Sequence, residues 1–334
     1  MIKLARPLRA SFAPVLLVLS AVMLMMPGAA GAQEKVKIRI GTHVSISAHL
    51  FMQKKPEILK NLGKTYDVEW VRFAGSGDAM PALVAGKLDG CLATPFPTAN
   101  AINQSRVPVT IVHQLLSFGF DGHYDDYTVV RADSGIAKVA DMKGKVIGVN
   151  AIGGTVDMGV RIMARKSGLN PDRDLTVVEA RPPFLAGMVR DNKLQAATLF
   201  QPFFEEAMAK GDLKILYRTS DIYGGPTDYV FMAFDDKFLK ANSKAVRNYI
   251  EDYLIAVNWA LDNREEAVKI YAEQWKLPVP VVDSYLLTKK DYLVRRDGKL
   301  SAAGIQPVAD ALSSNGFMPP FDVSKHLDLS YLPK

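Results

Sequence analysis

The chain has 334 residues, with 41 lysines and arginines against 35 aspartates and glutamates, and one cysteine, Cys91. So slight a basic excess, with no lysine or arginine cluster interleaved with aromatics, excludes the usual footprint of a nucleic-acid binder. One cysteine excludes an intramolecular disulfide and a cysteine-rich zinc site, and no HExxH pair offers another metal centre.

Lys3, Arg6 and Arg9 precede an apolar run from Val15 to Met26, and Ala30, Gly31 and Ala32 then supply the small residues that a signal peptidase reads. The run is about a dozen residues, short of the roughly 20 that span a bilayer as a helix. Residues 1–32 are therefore expected to be a cleaved signal peptide. No cysteine stands at the cleavage point to carry a lipid, so the expected location is a periplasm. The roughly 300 residues that follow suffice for two domains with separate cores.

"VKIRIG" (36–41) alternates as a half-buried strand does, and "THVSISAHLFMQKKPEIL" changes to a helical pattern. "YDVEWVRF" (66–73) is a second strand, followed by the glycine turn and helix of "AGSGDAMPALVAGKLDG". "GCLATPFP" repeats the theme: a strand over 90–93 ends at Thr94 and gives way to the helix of "TANAINQ". "VPVTIVHQL" is the next strand. From Tyr127 the order restarts with "YTVVRAD", then "VADMKGKVIGV", a turn at Gly153-Gly154, and the helix "TVDMGVRIMARKSG". "DLTVVEA", the helix and short strand of "RPPFLAGMVRDNKLQAATLF", the helical "QPFFEEAMAKG" and the strand "YVFMAF" (229–234) follow. The last hundred residues are largely helical, and Val246, Tyr249, Ile250, Tyr253, Leu254 and Val257 form a stripe that should face a core. Strands alternating with helices throughout predict an α/β protein with mainly parallel sheets.

In open α/β sheets ligands sit beyond the carboxyl ends of strands, where loops lead into helix N-termini. Three such loops stand out: Gly75-Ser76-Gly77, Thr94-Pro95-Phe96 and Gly153-Gly154-Thr155. Their small residues let backbone N–H groups approach a ligand, and their hydroxyls add donors, so an anion could be held without formal positive charge. Gly148, Gly153 and Gly154 do not make a dinucleotide fingerprint, and no lysine occupies a phosphate-loop position.

The series "GSGDAMPALVAGKLDGCLATPFPTANA", "MKGKVIGVNAIGGTVDMGV", "RPPFLAGMVRDNKLQAATLFQPF" and "GGPTDYVFMAF" resembles, in order and spacing, the periplasmic substrate-binding proteins of the nitrate, sulfonate and taurine importer family. The resemblance covers essentially the whole mature chain. It implies a two-lobed, type II periplasmic binding protein fold: domain 1 over 33–126 and 227–334, domain 2 over 127–226, two crossing segments, and hinge closure on a ligand in the cleft. It further implies a monomer that captures a small organic anion and delivers it to an ABC permease in the inner membrane, with no cofactor and no nucleic acid. A ligand-sensing partner of a membrane receptor is the alternative on the same fold. An enzyme of the thiamine-pyrimidine type is disfavoured, since its cysteine-rich motif cannot be built from one cysteine. A hydrolase is disfavoured as well, because the five histidines are scattered and Gly-x-Ser-x-Gly is absent.

The expected ligand-binding residues are His43, Ser45, His49, Gly75, Ser76, Thr94, Phe96, Gly153, Gly154, Thr155, Arg181, Phe184, Gln201 and Tyr229. Arg181 ends a strand and could grip a carboxylate bidentately; His43 and His49 flank the first strand-to-helix turn and could donate to an anion. Phe51, Phe96, Phe184, Phe200, Phe203 and Tyr229 could wall an aromatic or alkyl body, which favours an organic carboxylate or sulfonate over nitrate. Taurine-binding relatives hold the substrate amine with an acid in the returning strand. Here Asp228 falls one residue early and Tyr229 takes that place, an offset that turns the carboxylate to the other face.

Overall fold

Alternating strands and amphipathic helices fold as two five-stranded sheets with helices packed over them. The protein is seen here as a computed structural model that describes residues 35–334; the expected signal peptide lies outside the described residues. In the first sheet's run, β1 (Val36–Thr42) leads to α1 (Ser47–Lys54), β2 (Tyr66–Arg72) to α2 (Ser76–Val84), and β3 (Gly90–Ala93) to α3 (Pro95–Asn103), before β4 (Val109–Phe118). The chain then crosses to β5 (Tyr127–Arg131). There β6 (Lys145–Val149) leads to α4 (Thr155–Lys166), β7 (Leu175–Glu179) to α5 (Pro182–Arg190), β8 (Ala196–Leu199) to α6 (Phe203–Met208), and β9 (Leu213–Arg218) to α7 (Thr219–Tyr223). It crosses back to β10 (Thr227–Asp235), and α8 (Asp236–Ala241), α9 (Ser243–Asp262), α10 (Arg264–Trp275), α11 (Val279–Asp283) and α12 (Ala302–Ser314) complete it.

The sheets have the orders β2-β1-β3-β10-β4 and β7-β6-β8-β5-β9. In each, four strands run one way and one runs against them: β10 is antiparallel to β3 and β4, and β5 to β8 and β9. The reversed strand is in both cases the one by which the chain enters after crossing from the other sheet. A chain that arrives from the side where the parallel strands end must run away from it. The starts of β5 and β10 are thereby placed beside the strand-to-helix turns.

Three local differences from the sequence expectation have plain causes. The first helix begins at Ser47 rather than Thr42, because a tight turn intervenes in which the Ile46 amide donates to the His43 carbonyl and the Ser45 amide to His43 Nδ1. α3 starts three residues before "TANAINQ", with Pro95 at the first helical position, where its missing N–H costs nothing. β9 and the short α7 were not foreseen; "LKILYR" is a sheet-edge strand whose alternation is diluted by Lys214 and Arg218.

The expected stripe of α9 is buried, with Val246, Tyr249 and Ile250 fully so, and it packs on α1 and β2. Asp252 on the same helix is buried and accepts from the Lys60 and Leu62 amides at 2.9 and 2.8 Å and from the Tyr66 hydroxyl at 2.8 Å. Asp228 is buried too, on the opposite face of β10 from Tyr229. It accepts from Ser117 Oγ at 2.6 Å and the Ser301 amide at 3.1 Å, and pairs with Arg295. These bonds tie the segment after α11 to β10 and β4. Removing one partner of a buried pair leaves the other uncompensated, so Asp228→Ala should lower stability by about 3 kcal/mol in chemical denaturation. Unchanged stability would show that the Arg295 charge is not buried by this contact.

Candidate ligand site between the two sheets

Where the turns after β2, β3 and β6 meet, α2, α3 and α4 point their N-termini at one cavity. Its walls include Gly75, Ser76 and Gly77 from the first turn, Thr94 from the second, and Asn150, Ala151, Gly154 and Thr155 from the third. A helix start leaves amides without intrahelical acceptors and carries roughly half a positive charge. None of the three helices has a side-chain cap bond at its start. The amides of Ser76, Gly77, Thr155 and Val156 find no acceptor among the described residues.

The hydroxyls that ordinarily cap such helices instead join one another. Ser76 Oγ lies 2.6 Å from Thr94 Oγ1, which lies 2.7 Å from Thr155 Oγ1, and the Phe96 amide donates to Thr155 Oγ1 at 3.2 Å. Three hydroxyls linked by two bonds leave one hydroxyl proton to offer. The Thr94–Thr155 bond also joins the lobes built on the two sheets, as do Ser45 Oγ donating to the Gln201 carbonyl at 2.8 Å and Asn150 Nδ2 to the Ala74 carbonyl at 2.8 Å. The lobes are closed on one another.

The rest of the wall is apolar and aromatic: Ile46, Leu92, Leu116, Val156, Phe200 and Val230, with Phe118 stacked between Tyr229 and Tyr292 at centroid distances of 4.5 and 5.2 Å. The Tyr229 hydroxyl is buried without a partner among the described residues, and so is His43 Nε2. Burial, reinforced by the nearby Arg72 guanidinium, pushes the His43 imidazole down to about 4. The ring is therefore neutral at pH 7, and since Nδ1 accepts from the Ser45 amide, Nε2 carries the proton as a donor. Among the described residues no lysine or arginine lines the cavity, and the one acidic side chain there is Asp126. Space open to the centre of a water-sized sphere is about 50 Å³. At 10–15 Å³ per water in that measure, this holds about four waters, equivalent to roughly 120 Å³ of compact ligand.

Eight of the fourteen residues expected from sequence meet in this wall: His43, Ser45, Gly75, Ser76, Thr94, Gly154, Thr155 and Tyr229. Six do not line it. His49 is in the core with both ring nitrogens engaged, Nδ1 with Thr42 Oγ1 at 2.7 Å and Nε2 with the Tyr249 hydroxyl at 2.9 Å. Phe96 contributes its amide rather than its ring. Gly153, at φ +74°, shapes the turn by donating to Asp157 Oδ2 at 3.0 Å. Gln201 lies behind the wall, its side-chain amide donating to the Lys290 carbonyl at 3.0 Å. Arg181 lies in an outer groove of about 680 Å³, beside Arg72, Asp78, Glu179, Phe203 and Trp275, with His43 shared between the two spaces. Phe184, one turn on, is 60% exposed, and Phe51 packs on Trp259 in the core. The aromatic wall is thus built from Phe118, Phe200, Tyr229 and Tyr292, of which Phe118, Tyr292 and the acid Asp126 carried no motif that sequence reading could use.

The profile of the NMT1-like family matches residues 31–273. A protein of Bacillus subtilis (strain 168), named for binding aliphatic sulfonates, is 25% identical over 81% of each chain. Two solved structures share the fold. The alkanesulfonate-binding protein SsuA from Xanthomonas axonopodis pv. citri, bound to MOPS, has a TM-score of 0.71 at 20% identity, over 88% of this chain and 99% of that one. The periplasmic nitrate-binding protein NrtA from Synechocystis PCC 6803 has a TM-score of 0.69 at 17% identity, over 90% and 88%.

Closure brings α2 and α4 together backbone to backbone. A Cβ at Gly77 would stand 2.9 Å from the Ile152 carbonyl oxygen and 3.0 Å from the Gly154 nitrogen across the lobes. Gly77→Ala should therefore favour the isolated helix by up to about 1 kcal/mol yet oppose closure at an overpacking cost of 1–3 kcal/mol. A melting temperature at or above that of the native protein, with affinity for its ligand lowered roughly ten- to hundredfold, is the expected pair of results in thermal denaturation and calorimetry. Unaltered affinity would mean that the lobes do not meet here when ligand binds.

Proposed function

We propose that this chain, which belongs to the NMT1-like family, is the periplasmic solute-binding component of an ABC importer. It acts as a monomer that closes on a small organic anion and presents it to the membrane permease. The observation that carries this reading is the convergence of three helix N-termini, those of α2 and α4 with free amides, on a cavity that no lysine or arginine lines among the described residues. Orphan amides, a spare hydroxyl proton, the Tyr229 hydroxyl and the neutral His43 ring offer donors from several directions, the geometry that an oxyanion of a carboxylate or sulfonate satisfies. Backbone donors cost no side-chain entropy and suit rapid release as well as capture. The aromatic and aliphatic remainder of the wall gives an organic body something to bury against, which a bare inorganic anion lacks. A sulfonate fits this combination, in line with the ligands for which the Bacillus and Xanthomonas proteins are named.

The same geometry argues against catalysis. The cavity hydroxyls bond to one another rather than to a histidine or carboxylate that could take their protons. Cys91 lies buried within β3 with its thiol pushed up by burial, a poor nucleophile.

Calorimetric titration against short-chain sulfonates and carboxylates, with nitrate alongside, tests the reading. At least one organic anion should bind at micromolar or lower Kd, and Thr155→Val, which keeps the side-chain shape while removing the hydroxyl, should weaken it by about tenfold. Binding of none of these anions would end the proposal, and tighter binding of nitrate than of any organic member would replace it with an inorganic one.

A further inference from the structure

Asp126 is the last residue before β5, and the reversal of that strand sets its carboxyl at the cavity, where it is 1% exposed. Its Oδ1 accepts from the Tyr292 hydroxyl at 2.6 Å, while its Oδ2 accepts no hydrogen bond from any described residue. The free amides at the starts of α2 and α4 line the same space and do not serve it. Nor does a cation among the described residues: Arg218 is paired with Asp221, Arg295 with Asp228, and Lys290 is exposed. Asp125 is turned to the Ser220 amide, 2.8 Å from its Oδ2, and Asp291 is held by the Leu287 and Tyr292 amides at 2.9 Å each. Burial pushes the phenols of Tyr124, Tyr127, Tyr229 and Tyr292 upward, and Glu205 on α6 acts on the first two in the same direction. With the His43 ring neutral, Asp126 faces only neutral groups and other acids.

Resting on the organic-anion reading above, we propose that Asp126 binds the ligand as a neutral carboxylic acid, its Oδ2 keeping the proton and donating it in a hydrogen bond to an oxygen of the anion. The cavity has room for about four waters, so a ligand that fills it meets both the helix starts and Asp126. An ionised carboxylate would meet that ligand as a like charge. At about 4 Å and an effective dielectric of about 20, the repulsion costs on the order of a thousandfold in affinity. Protonation exchanges it for a hydrogen bond to a charged acceptor, a gain of about tenfold or more. The proton belongs on Oδ2 because Oδ1 already accepts from Tyr292. Burial holds the Asp126 carboxyl well above the usual carboxylate range before any ligand arrives, with the Tyr292 hydroxyl opposing the rise and Asp125 adding to it. A bound anion disfavours the charged form further. The helix starts, which favour ionisation of an acid near them, are by then taken up by the ligand. Affinity is accordingly greatest while the acid is protonated and falls as pH rises through its titration. The part of the ligand that meets Asp126 must be an acceptor.

The test is infrared difference spectroscopy of the purified protein, bound minus free, near neutral pH. The probes are short-chain alkanesulfonates, which carry no carbonyl, and alkanoates isotope-labelled at the carboxyl to set their own band apart. The carbonyl band of a protonated carboxyl should shift when the anion binds, and that feature should be missing from the same spectrum of Asp126→Asn. In calorimetry Asp126→Ala, which loses the donor, should weaken binding by about tenfold or more, and Asp126→Asn, with an N–H donor and an acceptor for Tyr292, should recover most of the loss. A native difference spectrum without a protonated-carboxyl band overturns the neutral acid and leaves the organic-anion reading standing. So does tighter binding by Asp126→Ala than by the native protein, the result an ionised Asp126 demands. Binding of neither series overturns both readings. Should neither variant fold, the native difference spectrum decides the matter alone.

Discussion

Three helix N-termini aimed at one point repel each other. Each end carries about half a positive charge, so roughly one and a half charges converge where α2, α3 and α4 meet, in partly buried surroundings that screen them less than bulk water does. The short hydroxyl chain from Ser76 through Thr94 to Thr155 stitches these ends together across the lobes but contributes no negative charge. An anion placed among them turns a repulsive arrangement into an attractive one, and its binding energy falls where the two lobes touch. In the proposed binding, closure and recognition would be one event, since the donors on α4 reach a ligand on α2 only where the lobes meet.

The direction of two strands decides which side chains surround that ligand. Because β5 and β10 run against their neighbours, their first residues stand at the ends where the parallel strands finish. Tyr229 and Asp126 reach the cavity by this route. Period-two alternation then sends Asp228 to the opposite side, where it binds Ser117, Ser301 and Arg295 and holds the C-terminal segment in place. Neighbouring positions on one strand thus divide the work, one lining the site and the other fixing the frame behind it.

Much of this was legible in the order of residues. Alternation marked the strands, and glycine with small hydroxyl residues before apolar periodicity marked the turns at Ser76, Thr94 and Gly154. The offset of Asp228 was readable from the resemblance, which puts Tyr229 where relatives carry their acid, together with strand periodicity. What could not be read was direction in less regular places. Arg181 lies two residues beyond the end of β7, and as the residue before a Pro-Pro helix start its side chain lines the outer groove. His49 sits one turn inside α1, where helical geometry points it at Thr42 and Tyr249. Asp126 and Phe118 lie beside a crossing, and their roles arise from how two distant stretches approach, which no local pattern encodes. β9 escaped notice because charged residues interrupt its alternation.

Tyr292 belongs to none of the strands or turns that build the cavity. It arrives on an irregular stretch whose neighbour Leu293 exchanges backbone hydrogen bonds with Ser117, and it lies beyond residue 273, where the match to the family profile stops. One end of the cavity is therefore made by helix starts and the other is finished by a late, locally tethered loop. Such a division separates the donors of the helix starts from the aromatic end, so that a change in a few residues of that loop would alter one end of the cavity and leave the other in place.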